Sequence, residues 1–535
     1  MTATLNIPLP DAATTLPPQR DSSSLAIDIR DLKLTYGSDV VALQKLTLRV
    51  PRGQHLAILG DSGSGKTSLL GCLTGRLSPC EGQVHCNGRL ATIHQDLRLV
   101  RERTALANVL HGSIGRYGLV RTLLRFPRAE RERALALLRR VGLGHRLHVK
   151  VKHLSGGEQQ RVAIARALMQ DPDILLADEP VAALDQHNAQ AIMRLLHEVG
   201  REHRLTIVAV LHDCQLAEAF ADRVIGLHQG QLIYDGAQEG VPPFQECRAC
   251  RVITPDSSPA SASGDAGVAV DQHRLPTWAR PVQFGLLALA AVAAYAWSVS
   301  TLEVGPRQLE GVLPGVGRFL RDLVPTRWSQ VTGVPWGEIS WSLVETIQMS
   351  LLGTTLGVLV SWPMSALAAD NVGPRIIRPA MRFVLNAIRT IPSLIWALFF
   401  LAAVGFGNLA GVLALAAYSV GYLTKFFYEA FEAVDPGAPD ALREIGATGP
   451  QRFLHAVWPA ARPGVLSSSL FMLEYNVRAA SVLGIVGAGG IGFWFKHFYD
   501  YRMFPAMLAC LGLLLAVVVV LDAISTRLRA RLVRN

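Results

Sequence analysis

Hydrophobic and polar positions alternate differently in the two halves of the chain. Between residues 25 and 240, short apolar runs at 56–59, 174–177 and 206–211 are separated by charged stretches with helical spacing. Buried strands that alternate with helices are typical of a mostly parallel sheet covered by helices. This half therefore predicts a soluble α/β domain.

Long apolar runs dominate the second half, from residue 277 to residue 535. Each of six runs is long enough to cross a bilayer of ~30 Å. They lie at 282–302, 341–362, 383–404, 408–428, 464–486 and 505–525. The pattern predicts an all-α transmembrane domain of about six helices.

Two segments lack the apolar residues that a folded core needs. Residues 1–24 are rich in Pro, Thr, Ser and Ala and carry no apolar run, so we expect a disordered arm rather than a signal peptide. Residues 241–276 contain Pro-Pro and a Ser/Ala-rich stretch and are expected to form a linker. This linker includes Cys247 and Cys250, which lack the second ligand pair of a structural zinc site and are interpreted as plain thiols.

Composition supports a membrane protein. Hydrophobic residues make up 50% of the chain, charged residues make up 18%, and the mean hydropathy is +0.28. The net charge is +10, which is compatible with nucleic acid as a partner. The positive residues are scattered, however, and several lie beside apolar runs, so anionic lipid headgroups explain them at least as well. We therefore expect membrane lipid, and no nucleic acid, as a partner.

Positively charged loops orient the predicted spans. The α/β half precedes the first span, and six spans return the C-terminus to the same side of the membrane. Four arginines between 527 and 534 and three in the 371–382 loop place this side in the cytoplasm by the positive-inside rule. The 303–340 loop contradicts the rule with four arginines, although residues 311–323 suit an interfacial amphipathic helix.

A phosphate-binding loop follows the apolar run at 56–59. Residues 60–67 read Gly-Asp-Ser-Gly-Ser-Gly-Lys-Thr and fit the pattern G-x-x-x-x-G-K-[ST]. In such a loop, Lys66 neutralises the β- and γ-phosphates of ATP and the hydroxyl of Thr67 binds Mg²⁺. The predicted nucleotide contacts here are Gly60, Ser62, Gly63, Gly65, Lys66, Thr67 and Ser68. A chance match in a loop rich in Gly and Ser is the alternative.

Two adjacent acids follow the run at 174–177. Asp178 at the mouth of a buried strand suits a Mg²⁺ ligand, and Glu179 is placed to polarise the attacking water. A solvated acidic turn is the alternative interpretation.

The sequence Leu-Ser-Gly-Gly-Glu-Gln-Gln-Arg at 154–161 predicts a second anion site. Ser155, Gly156, Gly157 and Glu158 open a helix whose N-terminus attracts anions without a lysine. Combined with the phosphate-binding loop, this motif resembles the ABC-type ATPases.

That resemblance implies further roles. Tyr36 matches the aromatic residue that stacks on adenine, and Gln95 matches the glutamine that senses Mg²⁺ and the membrane domain. Asp185 matches the D-loop, where Ala182 replaces the Ser of many relatives, and His212 matches the catalytic histidine at the γ-phosphate. In the family, the motif at 154–161 closes over the ATP of the opposite subunit, so a C2 homodimer is expected.

A polar stretch at 429–463 separates two spans and is predicted to lie in the cytoplasm. It contains Glu444-Ile-Gly446 and resembles the EAA loop through which ABC importers contact their ATPase. An ordinary amphipathic loop helix is the alternative.

Two stretches in the membrane half resemble the permease of phosphonate importers, namely 389–407 and 474–492, and the ATPase half resembles the ATPase of the same system. Ionisable residues inside spans usually face a cavity or a partner, which makes Arg389, Glu474 and Arg478 candidates for the translocation path. Arginine suits an anionic phosphonate. Alternatively, Glu474 and Arg478, four residues apart, pair with each other.

These observations predict a fused half-transporter in a bacterial cytoplasmic membrane, with its ATPase in the cytoplasm. We expect it to use ATP and Mg²⁺, to pair with a second copy, and to import a phosphonate, phosphite or related small anion received from an extracytoplasmic binding protein. The alternatives are an importer of another solute such as an amino acid, a half-exporter, a soluble ABC ATPase, and a scaffold with an inactive ATPase.

Overall fold

The computed structural model describes residues 25–37, 40–182, 184–237, 279–302, 306–325, 327 and 329–534. The predicted arm at 1–24, the predicted linker at 241–276 with Cys247 and Cys250, and Ala183 of the D-loop lie outside the described residues. The chain divides into two compact units. The first unit takes in Met1–Ser258 and Val434–Ala460, and the second takes in Pro259–Ala433 and Ala461–Asn535.

The first unit contains two sheets. Its strands, in chain order, are β1 (Leu25–Tyr36), β2 (Val40–Pro51), β3 (His55–Gly60), β4 (Glu81–Cys86), β5 (Leu90–Ile93), β6 (Ile174–Asp178), β7 (Thr206–Val210), β8 (Arg223–His228) and β9 (Gln231–Ala237). The larger sheet has the order β5-β6-β7-β3-β8-β9, in which only β9 runs antiparallel to its neighbour. The smaller is antiparallel with the order β2-β1-β4. The α/β prediction is confirmed.

Helices cover the larger sheet. They are α1 (Lys66–Leu73), α2 (Ala105–Leu110), α3 (Leu119–Leu124), α4 (Arg128–Arg140), α5 (Gly156–Leu168), α6 (Gln186–Glu202) and α7 (Cys214–Phe220). Every residue of β3, β6 and β7 is buried, as expected for parallel strands with both faces covered. Because parallel strands end at the same edge, the loops after β3, β6 and β7 bring their polar residues together there.

The second half of the chain is helical. Its helices are α8 (Ala279–Thr301), α9 (Pro306–Leu323), α10 (Ser329–Thr332), α11 (Trp336–Ala368), α12 (Ile377–Thr390), α13 (Ser393–Val404), α14 (Asn408–Glu432), α15 (Gly437–Glu444), α16 (Gly449–Arg452), α17 (Trp458–Ile485), α18 (Gly492–Asp500) and α19 (Phe504–Arg534). The predicted amphipathic helix at 311–323 lies within α9. The predicted last span is longer than expected, because α19 continues through the arginines that were placed after it.

The span count differs from the predicted six. By length and composition, four described helices suit a membrane crossing: Phe284–Thr301 of α8, α11, α14 and Phe504–Arg531 of α19. The run predicted at 383–404 is instead two helices, α12 and α13, bent by 88°, and it makes a fifth crossing if the pair counts as one. Pro392 explains the break, since proline lacks an N–H group and disfavours helical geometry in the preceding residue. The remaining run at 464–486 forms α17, which carries Glu474 and Arg478 and does not belong to this apolar group.

The polar stretch between α14 and α17 belongs to the first unit. We call Val434–Ala460 the inserted segment, because the chain enters it from α14 and leaves it through α17. The predicted loop at 429–463 is thereby shortened, since its first residues belong to α14. The inserted segment contains α15, α16 and a π-helical turn at Phe453–Val457. Its apolar side chains form one buried cluster with those of the residues after β5, namely Val100, Ile114, Leu442, Ala447 and Ala456.

Candidate active site

The phosphate-binding loop joins β3 to α1 and depends on glycine backbone conformations. Gly63 and Gly65 have φ angles of +81° and +102°, which side chains with a Cβ rarely adopt. A Cβ on Gly65 would also lie 2.6 Å from the carbonyl oxygen of Ala42. The loop therefore keeps its backbone free of side chains where α1 begins, as an anion site requires.

Lys66 is folded back onto this loop. Its Nζ atom donates hydrogen bonds of 2.6 Å to the carbonyl oxygens of Gly60 and Asp61, and the residue is 5% exposed. Burial lowers the pKa of Lys66 from its ordinary value, and the nearby carboxylates oppose that shift. These two carbonyl contacts hold the ammonium group at the loop that is predicted to bind phosphate.

Tyr36 lies beside the same loop. It is the last residue of β1, and its hydroxyl lies 3.2 Å from the Ser68 Oγ atom. The residue is 45% exposed, so its ring is accessible next to the start of α1. An exposed aromatic ring at this position suits stacking on a nucleotide base.

Glu179 connects three loops at the carboxyl edge of the sheet. Gln95 donates from Nε2 to one carboxylate oxygen at 2.9 Å, and His212 Nε2 lies 2.6 Å from the other. Glu179 itself has a φ of +47°, an uncommon conformation that directs its carboxylate into the site. The structure therefore brings together the three residues that sequence reasoning assigned to water activation, Mg²⁺ sensing and the γ-phosphate.

Asp178 is the last residue of β6 and is 9% exposed. Burial, and next the negative charge of Glu179, raises the pKa of Asp178 above its ordinary value. A divalent cation beside this carboxylate would reverse that effect.

The oxygen ligands available from Thr67, Gln95 and Asp178 suit Mg²⁺. Within the described parts of the chain, no group of three or more His, Cys, Asp or Glu side chains is placed to hold a metal ion. The oxygen atoms of Thr67, Gln95 and Asp178 fit a Mg²⁺ ion that would take its remaining ligands from nucleotide phosphates and water.

Ser155 caps α5 in a capping box. Its Oγ accepts from the backbone N–H of Glu158 at 3.3 Å, and the carboxylate of Glu158 accepts from the backbone N–H of Ser155 at 2.9 Å. The N–H of Ser155 is the largest cause that holds the pKa of Glu158 below its ordinary value. A Cβ on Gly156 or Gly157 would meet nothing closer than 3.6 Å, so packing inside this chain does not require glycine there. The two glycines instead leave the start of α5 open to a group from outside the chain.

Asp185 caps the next helix, α6. One carboxylate oxygen accepts from the backbone N–H of Asn188 at 2.9 Å, and the other accepts from the Asn188 side chain at 2.7 Å. The bond from the Asn188 backbone is the largest cause that lowers the pKa of Asp185. Its observed contacts are therefore local, and any D-loop contact to a second chain is additional to them.

Glu444 joins the inserted segment to the residues beside the active site. One of its oxygens lies 2.8 Å from His94 Nε2, and the other accepts from Arg98 at 3.3 Å. Burial raises the pKa of Glu444, but the bond to His94 and the charges of Arg76 and Arg98 outweigh burial, so the pKa is lower than usual. His94 is followed directly by Gln95, which contacts Glu179. Glu444 of the inserted segment therefore contacts the immediate neighbour of that glutamine.

Gly446 ends α15 with a φ of +87°. Its N–H donates to the carbonyl of Arg443, and the N–H of Ala447 donates to the carbonyl of Leu442, which is a Schellman motif. A Cβ on the facing Gly115 would lie 2.1 Å from the carbonyl oxygen of Ile445. Glycine is thus needed on both sides of this contact, for conformation at Gly446 and for space at Gly115.

Sequence reasoning did not identify several residues of this contact. Gln451 is 1% exposed and donates to the carbonyl of Tyr117 at 2.7 Å, and Arg103 donates to the carbonyl of Leu454 at 3.3 Å. His94 and Arg98 were also missed. The signal that was available is the acid Glu444 at the end of α15 and the basic residues His94 and Arg98 near Gln95.

The three candidate path residues of the second unit are not brought together. Glu474 is 8% exposed and accepts from Arg529 of α19 at 3.1 Å, so the predicted alternative pairing with Arg478 is wrong. Arg478 is exposed. Arg389 lies in the last turn of α12, just before the break at Pro392.

Known proteins resemble both halves of the chain. The ABC transporter family matches residues 43–182, and the family described as binding-protein-dependent transport system inner membrane component matches residues 361–534. The phosphonates import ATP-binding protein PhnC 3 of Nostoc sp. is 37% identical over 243 residues, which are 43% of this chain and 92% of that protein. PhnC of Halobacterium salinarum is 40% identical over 222 residues, which are 40% of this chain and 79% of that protein. Among solved structures, the dimeric MJ0796 ABC transporter cassette is 33% identical, with 40% of this chain and 99% of that one covered at a TM-score of 0.36.

The phosphate-binding loop, the acid pair and the sheet that positions them define an ABC-type transport ATPase. The chain belongs to the family of the phosphonates import ATP-binding protein PhnC, and it carries a transport permease in the same polypeptide. It is therefore a multi-pass membrane protein with a cytoplasmic ATPase.

Proposed function

We propose that two copies of this chain import phosphonates, phosphite or a related phosphorus oxyanion across a bacterial cytoplasmic membrane. ATP hydrolysis drives transport, and a separate extracytoplasmic protein delivers the anion. The observation that carries this proposal is the contact of Glu444 with His94 and Arg98, because it ties a permease segment to the loop that reaches Glu179. The substrate class rests on the relatives that are named for phosphonates import.

The residues of the active site divide the work of hydrolysis. Lys66 and the N–H groups at the start of α1 hold the phosphates. Glu179 orients the attacking water, and His212 contacts the γ-phosphate. Thr67, Asp178 and Gln95 would hold Mg²⁺, which would neutralise charge on the phosphates. The bonds from Gln95 and His212 to Glu179 keep its carboxylate in position until a nucleotide takes their place.

A second copy would bring a nucleotide to the start of α5, which is open in this chain. The hydrogen bonds of Ser155 serve the capping box, and Gly156 and Gly157 leave open space. A C2 pair places each such helix start over the ATP of the other chain.

Mixed pairs test this sharing. A chain with Lys66→Ala and a chain with Ser155→Arg are each inactive in both sites of a homodimer, whereas their mixture contains pairs with one intact composite site. We expect ATPase activity in the mixture above that of either parent. A mixture no more active than its parents would contradict shared sites that work independently.

Vesicle transport tests direction and substrate together. In proteoliposomes with the ATPase outside, external ATP should drive labelled methylphosphonate or phosphite out of a lumen that holds the binding protein. Glu179→Gln vesicles are the matched control. An importer of another solute, such as an amino acid, would leave both anions inside and move its own label. Solute moved away from the ATPase side would identify a half-exporter.

A further inference from the structure

Arg166 connects α5 to the turn that follows Gln95. It lies in the last turn of α5, is 3% exposed, and donates from its two terminal nitrogens to the carbonyl oxygens of Arg98 and Leu97, each at 2.7 Å. It lies outside the nucleotide site. Because its terminal nitrogens donate to two successive backbone carbonyls, the buried guanidinium holds this stretch of backbone in place. These bonds explain the position of the side chain without a contact to substrate.

The backbone that Arg166 holds is strained. Leu97 and Arg98 have φ angles of +56° and +46°, a left-handed conformation that is unfavourable for residues other than glycine. Such conformations persist only where the surroundings determine them. The turn's own backbone bonds, from Leu97 to His94 and from Arg98 to Asp96, are joined by the two bonds from Arg166.

This strained turn reaches two places of functional importance. At its start, Gln95 donates to Glu179, and His94 contacts Glu444 at 2.8 Å. At its end, the side chain of Arg98 reaches the same Glu444 at 3.3 Å. The conformation of Leu97 and Arg98 therefore sets the geometry of both contacts to the inserted segment.

We propose that Arg166 is a positioning residue that holds the strained turn at Leu97 and Arg98 in the conformation needed for its contacts with Glu179 and the inserted segment. The inference rests on the proposed function, in which the start of α5 meets the ATP of a second chain. Ser155 caps the start of α5, and Arg166 lies in its last turn, eleven residues or roughly 16 Å away. The bonds of Arg166 therefore join the turn after Gln95 to the helix that begins at Ser155.

The charge of Arg166 is retained despite its burial. Burial lowers the pKa of Arg166 to about 10, while the carboxylates of Glu444 and Asp96 favour its charged form and Arg98 opposes it. The guanidinium is therefore charged at neutral pH, and its hydrogen bonds are of the stronger, charge-assisted kind. A lysine at this position has one nitrogen and cannot bridge both carbonyls in the same way.

The experiment compares Arg166→Met and Arg166→Lys, each alone and with Leu97→Gly. Two readouts are taken in the full transporter: basal ATPase with its stimulation by the loaded binding protein, and backbone hydrogen exchange of residues 437–447. Exchange is measured with and without ATP in a Glu179→Gln background, where ATP is retained. This second readout does not depend on transport.

We expect Arg166→Met to lower stimulation roughly tenfold, as for the loss of one to two charge-assisted bonds, and to abolish the ATP-dependent protection of 437–447. Arg166→Lys should fall between Arg166→Met and the natural chain. Leu97→Gly should restore both readouts in the Arg166→Met background, because glycine adopts a positive φ without strain. Leu97→Asn should restore them partly, since Asn tolerates this conformation better than Leu.

Rescue by glycine separates positioning from simple packing. Leu97→Gly removes further packing and cannot repair a core that Arg166→Met has damaged. Equal loss of basal and stimulated ATPase, or no rescue by Leu97→Gly, would overturn the proposal. If no binding protein stimulates the natural chain, the proposed import fails, and the exchange readout then decides the role of Arg166 by itself. Unchanged ATP-dependent protection in Arg166→Met would overturn it.

Discussion

The two units hold their buried charges in different ways. In the first unit, the charged groups of the active site lie in loops at strand ends, and backbone groups or near neighbours fix them, as with Lys66 on the carbonyls of its own loop. In the second unit, Glu474 lies within a helix and finds Arg529 on another helix. Loop motifs carry their geometry in a few consecutive residues, whereas a helix offers every side chain several possible neighbours. Residue spacing in the sequence therefore identifies a site built from loop motifs, but it does not identify an ion pair between two helices.

Replacing Glu179 by Gln tests the loop kind of site and has the largest expected effect. The amide keeps the shape of the side chain but removes the negative charge that polarises water. We expect ATP binding to persist and turnover to fall at least ~10²-fold, at the low end for loss of a general base. Single-turnover hydrolysis with labelled ATP measures the change. Glu132→Gln is the matched control, because it makes the same change at an exposed acid of α4 that pairs with Arg128. If Glu179→Gln turns over ATP as fast as the natural chain, Glu179 does not activate the attacking water.

Breaking the Glu474–Arg529 pair tests the helix kind of site. Glu474→Gln leaves the Arg529 guanidinium without its buried partner, which should cost about 2 kcal/mol, less than for a fully buried pair because Arg529 is a quarter exposed. Thermal inactivation in detergent is the measurement. Adding Arg529→Gln to Glu474→Gln should recover part of the loss.

Arg478→Gln is the matched control on the same helix. Because Arg478 is exposed, its replacement should change stability by less than about 0.5 kcal/mol. Lost transport at unchanged stability in this variant would support its place in the translocation path. A coupling energy between Glu474 and Arg478 as large as that with Arg529 would contradict the observed pairing.

The same contrast explains how far sequence reasoning reached. The phosphate-binding loop, Asp178, Glu179 and the start of α5 were identified because each is set by a strand end or a helix cap over a few residues. The contact between Gln95, Glu179 and His212 was suggested only by family resemblance, since it joins three loops. The break at Pro392 was missed because hydropathy averages over it. Glu444 was identified, but its contacts with His94 and Arg98 could not be predicted. They form only when the inserted segment docks against residues some 350 positions earlier in the chain.

Gly446 tests a local conformation at the long-range contact. Alanine there must adopt a φ of +87°, at a cost of about 1–2 kcal/mol, while its Cβ would meet nothing closer than 3.7 Å. We expect weaker docking of the inserted segment, seen as faster hydrogen exchange at 437–447 and lower stimulated ATPase with basal ATPase kept. Gly446→Trp should have a larger effect of the same kind. Gly449→Ala is the control, because Gly449 begins α16 with ordinary geometry. Equal effects of the two alanines would mean that the conformation of Gly446 is unimportant.

Acidification offers the mildest test, through two buried histidines at the same contact. The rings of His111 and His455 meet edge to face at 5.3 Å, and His455 belongs to the inserted segment whereas His111 follows α2. Burial, and next the charge of Arg103, lowers the pKa of His455 to about 4. Burial also lowers the pKa of His111, with further contributions from His455, Arg103 and Arg166. Both rings are therefore neutral when the segment is docked at neutral pH.

The sign of the pH effect follows from proton binding. An undocked histidine has a pKa near 6.5, so below that pH the undocked state binds more protons than the docked state. The contribution of His455 to docking is complete above about pH 6.5 and declines as the pH falls toward 4. At pH 5.5 the loss is at most about 1.4 kcal/mol for this side chain.

Hydrogen exchange at 437–457, compared with exchange in β3, measures docking apart from global unfolding, which the buried His55 also makes acid-sensitive. His455→Phe should remove most of the difference between pH 7.5 and pH 5.5, and the exposed His145→Phe should not. Docking in His455→Phe that remains as acid-sensitive as in the natural chain would show that another pair at the contact causes the sensitivity. The pair of Glu444 and His94 is then the next to examine, because protonation of the Glu444 carboxylate removes its charge.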